Sequence, residues 1–358
     1  MLSYLLRRIG YGFLVLWGVV TVVFFIFNIL PGDPARMMLG QRADQEAVNE
    51  IKQELGMDRN LLVQYAIYLN DLSPLSFHVK AENASTHYEA EKYGGTVFWE
   101  TQNFQWVLKA PYLRRSYQSQ KKVSVILFES LPETAVLAIA AVAIAAVLGI
   151  LLGIVAALFQ DQWIDRLLLI IATSGMALPS FFVGVIVAWL FGFLWSEYTG
   201  LSMTGSLYEV DDLGRGEYIQ WSNLILPALT LGVRPLSVVL QLSRNSLLEV
   251  LSMDYIRTAK AKGLNPTNLL FKHGMKNALN PVLTALSGMF ASLMAGAVFV
   301  EIIFSWKGIG WEIVNALEKY DLPIVMGAVL IIAVIFVSIN IVVDLLYGVL
   351  DPRVRVTN

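Results

Sequence analysis

The chain has 358 residues, of which 56% are hydrophobic and only 15% are charged, and its formal net charge is −2. A soluble domain carries about 25% charged residues, so this composition predicts a membrane protein. The near-neutral charge, and the lack of a Lys/Arg-rich block with interleaved aromatic residues, argue against nucleic-acid binding. The absence of cysteine excludes disulfides, thiolate catalysis and sulfur-bound metals.

The first apolar run, Ile9 to Leu30, follows the pair Arg7-Arg8. At about 1.5 Å per residue it can cross a hydrocarbon core of roughly 30 Å. A cleaved signal peptide would have a shorter apolar region and a small-residue cleavage site, and Pro31-Gly32-Asp33-Pro34 is not such a site. We therefore predict an uncleaved first transmembrane helix within residues 1–34, with its N-terminus in the cytoplasm.

Residues 35–130 are polar and mixed, and we predict an extracytoplasmic segment because they contain no span. Their middle part, residues 73–111, is rich in aromatic residues and contains His78 and His87. A small packed subdomain is the favoured interpretation, and a substrate or partner contact is the alternative. Two histidines nine residues apart, without further ligands at a defined spacing, are weak evidence for a metal, and no metal site is predicted.

Five further spans are predicted within residues 131–350, which gives an all-α polytopic membrane protein with six transmembrane helices. Leu131 to about Phe159 is rich in small residues that let membrane helices approach closely, so this helix should be central. Leu167 to about Trp195 contains Pro179, which should kink it. The remaining spans are about Asn223–Leu242, Pro281–Phe304 and Leu322–Leu350.

One polar stretch, Arg244 to Asn280, separates the fourth and fifth spans and carries six Lys/Arg against two acids. Its pattern predicts a helix, a break and a second short helix that ends near Asn280. Gly263 suits a left-handed C-cap, Asn265 is a plausible N-cap, and Pro266 would occupy the first helical position. The pattern alone leaves two interpretations open, a docking surface for a partner or a basic loop that touches lipid headgroups.

The segment Asp254 to Leu264, DYIRTAKAKGL, resembles the EAA loop of ABC importer permeases. It is most similar to the dipeptide/oligopeptide/nickel branch, although Asp254 stands where Glu is usual and Gly274-Met275 where Ala-Leu is commoner. The resemblance implies a type I ABC importer permease fold whose loop, within residues 244–280, fits a cleft on a cytoplasmic ATPase subunit. It thereby implies coupling roles for Asp254, Tyr255, Arg257, Ala259, Lys260, Lys262, Gly263, Leu264 and Asn265.

The resemblance extends over most of the chain, including Arg115-Ser116-Tyr117 and Asp321-Leu322-Pro323. It lapses over about residues 73–111, which we therefore predict to be an insertion in the extracytoplasmic segment. In the turn Ser305 to Gly310, Lys307 stands where the family usually has Pro.

The partners that the resemblance implies are a second homologous permease, two cytoplasmic ATPase subunits and an extracytoplasmic substrate-binding protein. No Gly-Lys dipeptide is present, so the chain has no phosphate-binding loop of the Walker A type. It is predicted to be a transporter subunit without a cofactor, because ATP and Mg would bind the partner subunits. An ATPase-independent secondary transporter is the alternative. The substrate stays open among dipeptides, oligopeptides, glutathione and nickel chelates. The direction of transport, import or export, and the pairing of permeases, as a heterodimer or a homodimer, also stay open.

Orientation is predicted from the basic residues near the spans. The inferred cytoplasmic segments hold eleven Lys/Arg, whereas the two short outer loops hold three. This is the positive-inside pattern, and it predicts an inner-membrane protein with both termini, including the tail 351–358, in the cytoplasm.

Five residues are candidates for a translocation path or for polar contacts between helices. Arg234 lies near the middle of the fourth span, and Asn340 and Asp344 lie within the sixth. Charged groups are expensive in lipid, so a contact between helices, including one between Arg234 and Asp344, is favoured over a path. Glu301, near the outer end of the fifth span, is predicted to contact the docking protein or to lie at the interface. Pro179 is the fifth candidate.

Overall fold

The computed structural model describes residues 2–29, 59–81, 86–211, 214 and 216–350. The predicted end of the first segment at residue 34 and the tail 351–358 lie outside these residues. The described part is mostly helical, which confirms the helical fold class. It also contains short strands that the sequence did not predict.

The helices and strands follow one another along the chain with these bounds. The helices are α1 (Leu2–Ile29), α2 (Leu61–Leu72), α3 (Ala90–Tyr93), α4 (Val123–Leu158), α5 (Trp163–Ala177), α6 (Ser180–Val187), α7 (Ser196–Thr199), α8 (Ser222–Ser252), α9 (Asp254–Ala261), α10 (Pro266–Asn268), α11 (Met275–Gly296), α12 (Val298–Phe304), α13 (Ile309–Glu318) and α14 (Leu322–Leu350). The π-helical segments are Ala188–Leu194 and Leu269–Gly274. The strands are β1 (Leu75–Val79), β2 (Thr96–Glu100), β3 (Phe104–Leu108), β4 (Tyr208–Val210) and β5 (Glu217–Ile219).

Among the described residues, α1, α4, α8 and α14 are each long and apolar enough to cross a membrane. Two bent pairs of helices bring the number to the predicted six if each pair is one span. The pair Trp163–Ala177 and Ser180–Leu194 is bent by 109°, and the pair Pro266–Met294 and Val298–Phe304 by 60°. Pro179 is the N-cap of α6, at the larger bend, so the predicted kink is confirmed.

The predicted helix end near Asn280 is wrong, because α11 runs through Pro281 to Gly296. Proline removes one backbone hydrogen bond from a helix, but packing with neighbouring helices can offset that loss. Val282, the next residue, is fully buried in a cluster with Val239 of α8. Helix α8 likewise continues beyond the predicted Leu242 to Ser252.

The described residues divide into two compact units, within Met1–Gly12, Ser130–Trp311 and Val334–Asn358 for the first, and Phe13–Glu129 and Glu312–Ala333 for the second. In the first unit, glycines of α4 let α8 approach closely. A Cβ built on Gly153 would lie 2.6 Å from the Ser243 Cβ, and one on Gly149 would lie 2.7 Å from Val239 Cγ1. This contact agrees with the predicted close packing of α4.

In the second unit, β1, β3 and β2 form an antiparallel sheet in that order. His78 of β1 is buried, and its ring nitrogens contact the Ser76 hydroxyl at 2.9 Å and the Thr86 carbonyl at 3.0 Å. Burial lowers the pKa of His78 below its ordinary value, which favours the neutral ring. Among the described residues no group of three His, Asp or Glu could hold a metal ion. His78 is therefore a core residue of the sheet.

Two segments that resemble the permease family meet in the second unit. Asp321, immediately before α14, is buried and accepts hydrogen bonds from the Ser116 hydroxyl at 2.5 Å and the Tyr117 N–H at 2.9 Å. Residues about two hundred positions apart are thus joined by one carboxylate.

Candidate functional site

The elbow, defined here as Asp254–Asn265, consists of α9 and a glycine turn. Gly263 has a φ of +77°, in the left-handed region. Its N–H donates to the Lys260 carbonyl at 3.0 Å, and the Leu264 N–H donates to the Ala259 carbonyl at 3.3 Å. These two bonds form a Schellman motif, so the predicted left-handed C-cap at Gly263 is confirmed.

The end of the elbow is the start of the next helical segment. The Asn265 side chain accepts a hydrogen bond from the Thr267 N–H at 3.2 Å, and Pro266 occupies the first position of α10. Both features confirm the predicted N-terminus, because they satisfy or remove N–H groups that a helix start leaves unpaired. The direction of the chain at the elbow is therefore fixed by local hydrogen bonds.

An apolar cluster holds α9 against the ends of three longer helices. Ile256 is its contribution from α9 and is only 3% exposed. Because the cluster joins several helices, a displacement of α9 would be passed to all of them at once. The other buried members are Ile154 and Ala157 of α4, Leu247 and Val250 of α8, and Ala278 of α11.

Tyr255 adds a polar link between the elbow and the chain that follows it. Its hydroxyl accepts a hydrogen bond from Asn277 Nδ2 at 2.8 Å and donates to the His273 carbonyl at 3.4 Å. In the structure both residues contact the tyrosine of the elbow.

The charged side of the elbow faces solvent. Arg257 and Asp254 form an ion pair of 3.3 Å, but their side chains are 74% and 94% exposed, so the pair contributes little to stability. Lys260 and Lys262 are exposed as well. Three cationic side chains are therefore available on a surface that the described part of the chain leaves uncovered.

A buried ion pair, which the sequence did not predict, fixes α8 where it leads to the elbow. Arg244 Nε and Nη2 each donate to the Asp165 carboxylate at 2.6 Å, and the two side chains are 14% and 2% exposed. The Asp161 N–H donates to the same carboxylate at 3.0 Å. In the sequence, an acid in the short turn between the second and third spans, next to Arg166, is the signal that could have indicated this pair.

Asp344 is paired, but not with Arg234. Arg8 Nη1 of α1 lies 2.9 Å from Asp344 Oδ2, so the predicted contact between Arg234 and Asp344 is wrong. The start of α1 lies beside the end of α14, where a Cβ built on Gly12 would be 2.8 Å from Val337 Cγ1. This antiparallel packing brings Arg8 to the acid.

Asn340 and Arg234 have different surroundings within the first unit. Asn340 Nδ2 donates to the Phe336 carbonyl one turn earlier in α14, at 2.7 Å. Arg234 is exposed on α8, and no hydrogen bond or ion pair to its side chain is found within the described part of the chain.

Glu301 is fully buried, which corrects its predicted contact with an external docking protein. Its carboxylate accepts hydrogen bonds from the Thr134 hydroxyl at 2.8 Å and the Trp311 N–H at 3.0 Å. The Thr134 hydroxyl also accepts the Ile309 N–H at 2.8 Å. Glu301 therefore joins α12 and α4 and holds the turn before α13.

Lys307 shows why this turn works without the family's usual Pro. The Lys307 N–H, which Pro lacks, donates to the Ser206 hydroxyl at 3.0 Å. Ser206 in turn donates to Glu133 of α4, and the Trp306 indole N–H donates to the Glu133 carbonyl at 3.0 Å. The departure from the family pattern thus adds a hydrogen bond to a buried network.

We predict that Glu301→Ala lowers the thermal stability of the purified protein more than Glu301→Gln. The alanine leaves the Thr134 hydroxyl and the Trp311 N–H without an acceptor, and each buried unsatisfied group costs about 1–3 kcal/mol. The measurement is the unfolding temperature in detergent, with Glu318→Ala, at an exposed position, as the matched control. An unfolding temperature for Glu301→Ala equal to that of Glu318→Ala would contradict this role.

Several helices that could span a membrane, and a polar elbow anchored to the ends of three helices, define a multi-pass membrane protein. Residues 149–356 match the family model described as binding-protein-dependent transport system inner membrane component. Residues 1–82 match the model of the N-terminal part of such membrane components. The chain belongs to the family of binding-protein-dependent transport system inner membrane components.

Similar proteins cover the chain from end to end. The dipeptide transport system permease protein DppB of Alkalihalophilus pseudofirmus is 33% identical over 99% of this chain and 100% of its own length. The di/tripeptide transport system permease protein DppB of Pseudomonas aeruginosa is 32% identical, with 99% of each chain covered. The glutathione transport system permease protein GsiC of Escherichia coli K12 is 31% identical, again with 99% of each covered.

A solved structure, entitled a crystal structure of an amino acid ABC transporter with histidines, is also similar. It has a TM-score of 0.42 and 15% identity, and the match covers 62% of this chain and 93% of that one.

Family membership confirms the predicted permease subunit of an ATP-driven ABC transporter. The chain is not itself the ATPase, because that activity lies in partner subunits of such transporters. It is a multi-pass inner-membrane protein that works with other ABC transporter components. The alternative of a secondary transporter is not supported.

Proposed function

We propose that this chain is a permease through which short peptides are imported, and that the elbow is its coupling site for an ATPase subunit. The names of the three relatives, dipeptide, di/tripeptide and glutathione permeases, all refer to peptides or a peptide derivative. This common chemistry supports a substrate with a peptide backbone. Nickel chelates are less consistent with this chemistry, and the match to binding-protein-dependent transport components supports import over export.

The observation that supports the coupling proposal is that one side of the elbow is buried against helix ends and the other side is exposed. On one side Ile256 is buried among the ends of α4, α8 and α11. On the other side Lys260 and Lys262 are exposed, together with Arg257 and Asp254. A partner that moves the exposed side must also move the helix ends, since the apolar contacts connect them.

The residues of the elbow have distinct roles in this proposal. Gly263 and Asn265 fix the turn, and Tyr255 ties it to Asn277. Ala259 and Leu264, both partly buried, supply apolar contact to the ATPase subunit, while Arg257, Lys260 and Lys262 supply polar contact. Asp254 favours the start of α9 through the helix dipole.

The proposed assembly contains a second homologous permease, two cytoplasmic ATPase subunits and an extracytoplasmic binding protein. The antiparallel contact of Arg8 with Asp344 supports an arrangement in which the first span begins where the last one ends. Together with the basic residues at these ends, it supports cytoplasmic termini and a cytoplasmic elbow. ATP itself, with Mg, would bind only the partner subunits.

We expect proteoliposomes that contain the complete assembly to accumulate radiolabelled alanyl-alanine only when ATP is enclosed with the ATPase subunits. Two matched preparations serve as controls, one without ATP and one without the binding protein. Accumulation by this chain alone, or accumulation that does not depend on ATP, would contradict the proposed function.

A further inference from the structure

Arg234 is a charged residue of a spanning helix for which the described residues of the first unit provide no counter-charge. Arg244 of the same helix is neutralised by Asp165, and Asp344 of α14 is neutralised by Arg8. By contrast, Arg234 is exposed near the middle of α8 and is unpaired within the described residues. An unpaired guanidinium is expensive in hydrocarbon, so its surroundings in the assembled transporter must be aqueous or must supply an anion.

Two more polar side chains continue from Arg234 toward the elbow on one face of α8. Gln241 and Asn245 lie seven and eleven residues further on, so at about 100° per residue all three fall within a sector of roughly 40°. Asn245 is exposed, and Gln241 is partly exposed and makes one long contact with Met176 Sδ at 3.4 Å. We call Arg234, Gln241 and Asn245 the polar stripe. A span that faced lipid at Arg234 and Gln241 would carry apolar side chains there instead, whereas Asn245 lies in the polar stretch just beyond the predicted span.

The broken helix beside α8 supports an aqueous environment at the same level. A Cβ built on Gly175 of α5 would lie 3.2 Å from Val233 Cγ1, and one on Gly184 of α6 would lie 3.3 Å from Thr230 Cγ2. The 109° break between α5 and α6 thus lies opposite the segment of α8 around Arg234. Leu178 and Pro179 at the break are exposed. Irregular backbone at membrane depth is tolerated only where it is covered by protein or lines a water-filled cavity.

We propose that the polar stripe lines the water-filled conduit of the transporter and that Arg234 binds a side-chain carboxylate of the passing solute. A guanidinium pairs with a carboxylate through two parallel hydrogen bonds, and the stripe offers no acid that would compete for Arg234. The site therefore selects solutes with a carboxylate in addition to the one at the peptide's C-terminus. This inference rests on the proposed transport of peptides and adds a selectivity element to it.

The absence of cysteine from the chain allows a direct test of the conduit, because a single introduced thiol is the only one that this chain carries. Arg234→Cys, Gln241→Cys and Asn245→Cys are each assembled with the partner subunits in membrane vesicles and treated with a charged, water-soluble methanethiosulfonate. Leu229→Cys is the matched control, since Leu229 is an exposed residue on the opposite face of the same helix. We expect the three stripe cysteines to react and Cys at 229 to stay unmodified. Equal reactivity on both faces, or an unreactive stripe buried against the second permease, would overturn the proposal.

The proposed binding of a solute carboxylate by Arg234 is tested by the uptake of alanyl-glutamate and alanyl-lysine in proteoliposomes of the complete assembly. Arg234→Gln is expected to lower the ratio of alanyl-glutamate uptake to alanyl-lysine uptake about tenfold, because one charge-assisted hydrogen bond is lost. Arg234→Lys keeps the positive charge, so its ratio should be close to that of the unmodified protein. Lys307→Gln, which removes a charge from an exposed turn, should leave the ratio unchanged. If Arg234→Gln lowers both uptakes equally, Arg234 pairs with an acid of another subunit and the inference is wrong. If the unmodified assembly takes up neither peptide with ATP, it is the proposed function that fails.

Discussion

Gly263→Val is expected to abolish ATP-driven uptake while the protein still inserts into the membrane. At a φ of +77° a β-branched residue is strained by at least about 1–2 kcal/mol, whereas glycine is not. A Cβ on Gly263 would meet no atom within 4 Å, so the effect comes from backbone conformation and not from a clash. Valine would open the Schellman motif and move Lys260 and Lys262 relative to the apolar cluster. Uptake by the complete assembly and the amount of protein in the membrane fraction are the measurements.

Gly263→Asn is the matched control for this change. Asparagine adds a larger side chain but tolerates the left-handed conformation, so the turn and most of the uptake should survive. If steric exclusion from the ATPase subunit were the cause, asparagine would be as harmful as valine. Normal uptake by Gly263→Val would contradict the coupling role of the elbow.

Asp165→Ala is expected to destabilise the protein strongly, because it leaves the mostly buried Arg244 guanidinium without a counter-charge, with Asn245 Oδ1 as its remaining acceptor at 3.1 Å. Breaking a buried ion pair on one side typically costs about 3–5 kcal/mol. The pair is bidentate, with two bonds of 2.6 Å, so the cost should fall in this range. The half-life of the purified protein in detergent at a fixed temperature is the measurement, and it should shorten by more than tenfold.

The double variant Asp165→Ala with Arg244→Ala distinguishes the loss of stability caused by an unpaired charge from the loss caused by removing side-chain packing. We expect it to be less destabilised than the sum of the two single variants, since no uncompensated charge remains. Arg166→Ala, at the adjacent exposed position, is the control and should behave like the unmodified protein. A half-life of Asp165→Ala equal to that of Arg166→Ala would show that the buried pair does not support α8.

The elbow could be predicted from the sequence because its structure depends on neighbours along the chain. A positive φ at Gly263 and an N-cap at Asn265 are local requirements that few residue types satisfy. The same holds for the bend at Pro179, although its size of 109° does not follow from the residue type. The six apolar segments were recognisable because each is long enough to cross a bilayer.

The partners of the intramembrane charges could not be predicted, because they depend on which helices are neighbours. Asp344 pairs with Arg8, more than three hundred residues away, and Glu301 is buried against Thr134. Helices become neighbours where small residues such as Gly153 let their backbones approach closely. The sequence shows the small residue but does not show which helix packs against it. Helix α11 continues through Pro281 because the packing of Val282 against α8 outweighs the tendency of proline to end a helix. This packing also depends on which helices are neighbours.

The most direct test of the elbow as the coupling site is a single cysteine at Lys260 in this cysteine-free chain. In vesicles of the assembled transporter, Lys260→Cys should react with a membrane-impermeant maleimide only when the cytoplasmic face is accessible. A short bismaleimide should then join this cysteine to an ATPase subunit, while Lys307→Cys should react only from the opposite face. Labelling of Cys at 260 from the outside, or an elbow that never crosslinks to an ATPase subunit, would contradict the account.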